Sequence, residues 1–461
     1  MSGGPVLPQV PGALPLLGHT VALLRAPLAF LERLPAYGEV VEVRLAGRRI
    51  VVVCDPELTR TMLVHDRVFD KGGPLYQRLR EAGGHGVASC PASDHRRQRR
   101  LVQPAFHQPR LPGYAQVMTD RVEKALGSWR SGQRIDLTQE ARKITAGVVI
   151  AAFFGTGLDE AAHARLAADF TVMMAGFSRR ILMPEALCAL PIPGNLRHRR
   201  ATERIRQELG RLIADQRSAD TAADAAPNLL SLLLAARDPD SDADAFTDHE
   251  LVDQAITMYT AGTETTAGAV CWALHLAATH PDAQEKLRTE ARTVLGGRAA
   301  TWEDLPRLGY TRQVLTEAIR MYPPGWFLTR ETTGATELGG HHLPAGTTVA
   351  YSPYLIGRLP ALYEDPGRFD PDRWQAGERT PQAPATVFGG GARSCVGDRF
   401  AMVEGVLLLA SMVGRWHLEL TPDSLALPRL PQLTLNPGRM RATVTVPSGI
   451  DTPPQRQCPA S

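Results

Sequence analysis

The chain has 461 residues, 44% hydrophobic and 21% charged, with 51 Lys and Arg against 48 Asp and Glu. This is ordinary globular composition, and a formal net charge of +3 is too slight to require nucleic acid or a membrane surface as a partner. Six scattered cysteines (Cys54, Cys90, Cys188, Cys271, Cys395, Cys458) with no Cys-x-x-Cys pair argue against a disulfide framework or a structural zinc site, and for a reducing, cytoplasmic setting.

Met1 to Leu17 is rich in proline and glycine and lacks a basic segment followed by a long apolar run, so neither a signal peptide nor a membrane anchor is expected. Ala26 to Tyr37 reads as helix. Val40 to Leu45 and Arg49 to Val53 are valine-rich runs separated by Ala46-Gly47-Arg48, a hairpin signal. Helical patterns then dominate from Pro56 to Met321, with breaks at Gly83-Gly84, at Pro191-Ile-Pro-Gly194 and in the acidic stretch Asp238 to Asp248. Asp248 to His280 forms one long helix, with Asp248 as its cap and Pro281 closing it. Strand signals return at Thr347 to Tyr351 and Met440 to Val446. There is no internal repeat, and no linker is long enough to separate domains. The expectation is a single domain over residues 1–461, mainly α with small β-sheets, and flexible ends at residues 1–10 and 447–461.

Near the C-terminus, Phe388-Gly-Gly-Gly391-Ala-Arg393-Ser-Cys395-Val-Gly397 places a cysteine in a glycine-rich loop that runs into an apolar helix. A thiolate at a helix start is favoured by the dipole and by free backbone N–H groups. Such a sulfur makes an axial iron ligand. A buried structural cysteine beside a flexible turn is the alternative for this loop alone.

Within the long helix stands Ala261-Gly262-Thr263-Glu264-Thr265-Thr266. Glycine and hydroxyl side chains weaken the helix ladder and can open a groove, where an acid beside an alcohol suits proton delivery. Glu317 and Arg320 share a helix face at i and i+3. In His95-Arg96-Arg97-Gln98-Arg99-Arg100, His95 and Arg99 lie on one face, and Arg96, Arg97 and Arg100 lie round the other side. Asp238, Asp240, Asp242 and Asp244 alternate as calcium ligands do, but Ala243 and His249 stand where a calcium loop needs Gly and Glu. A solvated loop is the reading.

Taken together these motifs resemble the cytochromes P450, over nearly the whole chain. The resemblance implies the P450 fold and haem b ligated by Cys395, with Phe388, Gly389 and Arg393 bordering it. It implies that His95, Arg99 and Arg330 bind haem propionates, His95 standing where many members have Trp. Thr265 would organise dioxygen and water, Glu264 would relay protons, and Glu317, Arg320 and Arg373 would form a structural network. Substrate-facing segments would include Leu75, Tyr76, Met173, Met174, Phe177, Tyr259 to Thr265 with Ala261, Trp326, Phe327, Leu433 and Thr434.

Segments such as Tyr322-Pro-Pro-Gly-Trp326 also look like those of soluble actinobacterial P450s that oxidise cyclic terpenes. The implied function is hydroxylation of an apolar small molecule with O2, in a monomer fed by a separate ferredoxin and ferredoxin reductase. Arg96, Arg97 and Arg100 would offer that acidic donor a basic patch. The alternatives are a macrolide, polyketide or fatty-acid hydroxylase, a haem-thiolate peroxygenase or isomerase independent of redox partners, and a haem-based sensor.

Overall fold

The computed structural model describes residues 6–155, 160–181, 183, 185–218, 228–238, 240, 245–375, 386–426 and 434–447. Leu433, Asp242, Asp244 and residues 448–461 of the expected flexible tail lie outside the described residues. The principal helices are α1 (Pro56–Val64), α2 (Gly73–Gly83), α3 (Ala92–Val102), α4 (Leu111–Gly127), α5 (Leu137–Phe154), α6 (Glu160–Ile181), α7 (Pro193–Ser218), α8 (Asp248–Thr279), α9 (Pro281–Leu295), α10 (Gly309–Met321) and α11 (Asp398–Arg415).

Helix α8 organises the rest. Its 32 residues span about 48 Å at 1.5 Å per residue, and it is apolar nearly all round, as a helix at the centre of a large core must be. Its cap is Thr247, one residue before the expected Asp248. The Thr247 hydroxyl accepts from the Glu250 backbone N–H at 3.2 Å, and the Glu250 carboxylate accepts from the Thr247 N–H at 2.9 Å. This reciprocal box leaves Asp248 inside the first turn, where its charge favours the helix N-terminus.

Packing against α8 is close because small residues line its contacts. A Cβ added to Gly262 would lie 2.8 Å from Val149 Cγ2 on α5. Gly262 therefore lets α5 approach, and α8 stays α-helical through this point rather than opening there. Further along, Trp272 stacks on Tyr322 with ring centroids 3.9 Å apart, and its Nε1 donates to the Leu435 carbonyl at 2.8 Å. These contacts tie α8, the end of α10 and the C-terminal segment into one core.

The predicted hairpin forms as β1 (Val40–Leu45) and β2 (Arg48–Val53), paired Leu45 to Arg48. Ala46 and Gly47 both take positive φ, as a two-residue turn of this twist demands. With β3 (Phe69–Asp70), β5 (Leu328–Thr332) and β8 (Thr348–Tyr351) they make a five-stranded sheet in the order β1-β2-β8-β5-β3. Only β2–β8 in this sheet is parallel. A second sheet runs β4 (Gln133–Asp136), β10 (Arg441–Thr445), β9 (His417–Leu420), and β6 (Thr336–Leu338) pairs with β7 (His341–Leu343). Strands β3 to β7 and β9 carry polar or very short sequences and gave no pattern of their own.

Candidate active site

The cysteine loop is shaped by its glycines and by α1 beneath it. Gly389 and Gly391 sit at φ +76° and +63°, where an L side chain is strained. A Cβ on Gly391 would fall 2.6 Å from the Leu63 carbonyl oxygen. The loop closes when the Cys395 N–H donates to the Phe388 carbonyl at 2.7 Å. Cys395 is exposed to the cavity above it, whereas Cys54, Cys90, Cys188 and Cys271 are buried. Protein surrounding the Cys395 sulfur pushes its pKa up. The Gly397 backbone N–H and the cations Lys71 and Arg99 oppose that shift, while Asp398 adds to it.

Above Cys395 lies a cavity of about 450 Å³. Cys395, Phe388 and Gly389 border it on one side, and Ala261, Gly262, Glu264 and Thr265 of α8 on the other. Leu75, Tyr76 and Thr434 also line it. The Thr265 hydroxyl donates to the Ala261 carbonyl one turn back. Glu264 accepts from Arg142 Nη2 at 3.3 Å and from Asn436 Nδ2 at 3.1 Å. Acid and alcohol thus stand side by side on the cavity wall, with the acid anchored by two donors that the sequence did not single out.

Positive charge gathers around His95. Burial is the main cause, with Arg393, Lys71, Arg99 and Arg330 adding repulsion, of a His95 pKa lowered to about 3, so the imidazole is neutral. Arg99 Nη1 donates to the Ser394 carbonyl at 2.5 Å. Arg393 is held by Asp70 at 2.6 Å and the Cys90 carbonyl at 2.9 Å, and Arg330 by its own Thr329 carbonyl at 3.0 Å. The Nε groups of Arg330 and Arg393 are buried without a hydrogen-bond partner. Lys71, also unforeseen, lines the cavity here, its pKa pushed down to about 7 by burial and by Arg330 and Arg393.

This donor set fits haem. An exposed thiol faces the cavity, glycines allow the close approach of a flat group, and the Nε–H groups of Arg330 and of Arg393, the latter 3.7 Å from Asp66, lie beside a neutral imidazole and suit carboxylates.

Several expected pocket residues lie elsewhere. Phe170, Met173 and Phe177 form an i, i+3, i+7 stripe on α6 that is buried in the core, leaving Met174 to line the cavity. Tyr259 stacks on Phe170, with ring centroids 3.6 Å apart, and stays off the cavity wall. Trp326 and Phe327 pack with the cluster around Phe30, Val41 and Leu355. Strand alternation accounts for Phe327, because Leu328 and Arg330 of β5 take the cavity face, while Trp326 lies before the strand begins.

The expected basic patch is also revised. Arg97 bonds Glu250 at 2.6 Å and the Ala245 carbonyl, and Arg100 bonds Asp238 at 2.8 Å. Of the three arginines only Arg96 is exposed. Asp238, expected in a solvated loop, is fully buried against Arg100.

Glu317, Arg320 and Arg373 do converge. Glu317 Oε1 accepts from Arg373 Nε at 3.1 Å, and Oε2 accepts from Arg320 Nε and Trp374 Nε1, both at 2.8 Å. Arg320 further donates to the carbonyls of Gly357, Pro366 and Arg368. Another buried acid, Glu404 of α11, was not foreseen. Burial raises its pKa to about 8, opposed only by Thr266, and neither of its oxygens has a full hydrogen bond.

A mainly helical body that presents a cavity-exposed cysteine to an acid–alcohol pair defines a haem-thiolate protein. The chain belongs to the cytochrome P450 family, whose model, described as "Cytochrome P450", matches residues 8–444. It is 41% identical over 434 residues to cyclooctatin synthase of Streptomyces melanosporofaciens, covering 94% of each chain. It is 40% identical over 437 residues to pentalenene oxygenase of Streptomyces avermitilis, covering 94% of this chain and 96% of that one. The fold matches that of a cytochrome P450DA heme domain with a TM-score of 0.85 at 23% identity, covering 96% of this chain and 98% of the other. The protein is a P450 monooxygenase with haem b as cofactor. No helix among the described residues is long and apolar enough to cross a membrane.

Proposed function

We propose that this monooxygenase hydroxylates an unactivated carbon of a cyclic terpene, with electrons from a separate ferredoxin and its reductase. One observation carries the substrate class. Away from the cations around His95, the cavity wall is formed by aliphatic side chains such as Leu75, Leu79, Val149, Ala152, Met174 and Leu328. Its polar groups there are hydroxyls, of Thr257, Thr260, Thr265, Thr266, Thr434 and Tyr114, and the Arg142-bound Glu264. A compact hydrocarbon fits such a surface, and a substrate carboxylate would find no cation outside the rim. The names of the two Streptomyces relatives, a cyclooctatin synthase and a pentalenene oxygenase, point the same way.

Cys395 would ligate the iron, and His95, Arg99, Arg330, Arg393 and Lys71 would hold the propionates. Neutral His95 serves by donating a hydrogen bond rather than a charge. The bound haem supplies the oxygen-activating redox chemistry. The chain's residues orient the hydrocarbon, exclude water and move protons. Thr265, turned to the Ala261 carbonyl at rest, is placed to pass a proton across the cavity wall, and Glu264 to bring it from the Arg142 side, which is partly open to solvent. The intact pair favours dioxygen-dependent turnover over a peroxygenase or isomerase, which needs no such delivery.

The test is a titration of ferric holoenzyme with cyclic terpenes and with macrolide-like compounds, read at the Soret band. A low-spin to high-spin change with terpenes alone supports the reading, and silence from every terpene overturns the substrate class. Turnover with peroxide but none with NADH, ferredoxin and reductase would overturn the electron route.

A further inference from the structure

We propose that Asn436 is a positioning residue that links the cavity wall at Thr434 to the carboxylate of Glu264, so that what occupies the cavity beside Thr434 sets how firmly Glu264 is held. The inference rests on Glu264 acting as the proton relay. Asn436 is buried, 6% exposed, and both hydrogens of its amide are engaged. One goes to Glu264 Oε2 at 3.1 Å, the other to Thr434 Oγ1 at 2.6 Å. The amide orientation follows from this pairing, because the reverse flip would set its oxygen against the carboxylate.

Its place is fixed on all sides. A Cβ on Gly268 would lie 2.2 Å from Asn436 Oδ1, so only glycine on α8 admits the amide so close. The Leu435 N–H donates to the Pro324 carbonyl at 3.0 Å, and the Leu435 carbonyl accepts from Trp272. Meanwhile Glu264 Oε2 also accepts from Arg142, whose side chain is 38% exposed. One carboxylate oxygen is thereby shared between a donor reaching solvent and a donor rooted in the interior. Asn436 opposes the swing of Glu264 toward Arg142. Thr434 stands on the cavity wall, and its hydroxyl is the other acceptor of the same amide. A bound ligand with an oxygen that engages the Thr434 hydroxyl reorients that group, and the shift reaches Glu264 through one side chain.

Asn436→Asp keeps the shape and replaces the donor with a carboxylate facing Glu264. In holoenzyme supplied with substrate, NADH, ferredoxin and reductase, the share of electrons appearing as hydrogen peroxide should rise roughly tenfold, the size expected for losing one hydrogen bond to a charged group. Substrate affinity from the Soret titration should hold. In a Glu264→Gln background the same substitution should add nothing. If Glu264→Gln itself leaves peroxide release unchanged, the relay reading falls. If Glu264→Gln raises it and Asn436→Asp does not, the positioning role falls while the relay stands. Should Asn436→Asp fold poorly, a crystal structure of Asn436→Ser decides the matter. A Glu264 side chain swung toward Arg142 is expected, and one left in place would overturn the proposal.

Discussion

Glu317 and Arg320 meet at 2.7 Å on the inner face of α10, and neither side chain is more than 1% exposed. Both charges are out of water, so each depends on the other and on the surrounding donors and carbonyls. Glu317→Gln leaves a buried guanidinium short of its counter-ion, which should cost about 3–5 kcal/mol. Urea unfolding of the purified holoenzyme checks this, and the loss should be larger than for Arg373→Lys, which trims one of the donors around the same carboxylate.

The left-handed backbone at Gly391 leads to a second expectation. Gly391→Ala meets both an unfavourable φ and the Leu63 carbonyl, which should cost about 1–3 kcal/mol and push the cysteine loop off α1. The carbon monoxide difference spectrum of the reduced protein should then show a diminished thiolate-ligated fraction. Cys395→Ala should abolish that fraction altogether.

Glu404 makes stability depend on pH. Its folded pKa of about 8 lies above the ordinary carboxyl value of 4.5, so the folded state keeps a proton that the unfolded state releases. Below pH 4.5 both states are protonated and nothing is lost. Between pH 4.5 and 8 the unfolded state is increasingly favoured. Glu404→Gln removes this dependence, so its melting temperature should gain on the wild type as the solution moves from mildly acidic to the folded pKa. Equal gaps at both ends of that range would contradict the assignment.

Lys71 and Arg330 should hold the cofactor together. Lys71→Met removes a cation within reach of the Cys395 side of the cavity, and Arg330→Met removes an orphaned N–H donor. Each should speed haem transfer to apomyoglobin several-fold, with the double variant faster than either. Unchanged transfer from both single variants would remove these residues from the propionate site.

Much of this site was legible in the chain because its chemistry is local in sequence. The cysteine loop, the acid–alcohol pair and the Glu317–Arg320 spacing each sit within a few consecutive residues, and each lands on the cavity or in the network. What could not be read depends on long-range closure. Arg142 and Asn436 reach Glu264 from α5 and from the C-terminal segment, and no periodicity marks either as its partner. Lys71 follows a two-residue strand too short to carry a pattern. Phe177, Trp326 and Phe327 were misplaced for a different reason: apolar side chains suit a cavity wall and a core equally, and only strand phase and helix face decide between them. Arg97 and Arg100 of α3 looked free because their partners, Glu250 and Asp238, lie far away in the chain.

The parallel pairing of Val51 to Val53 with Val349 to Tyr351 sets the order in which the molecule can be built. A ribosome finishes the N-terminal hairpin early, yet its third neighbour emerges only after some three quarters of the polypeptide. Until then β2 waits with an unpaired edge, and the wall carrying Arg330 does not exist. Such distant closure slows folding and exposes intermediates. Cofactor capture is consequently among the last events of synthesis, and slow, cool expression with ample haem should recover more holoenzyme than a rapid burst.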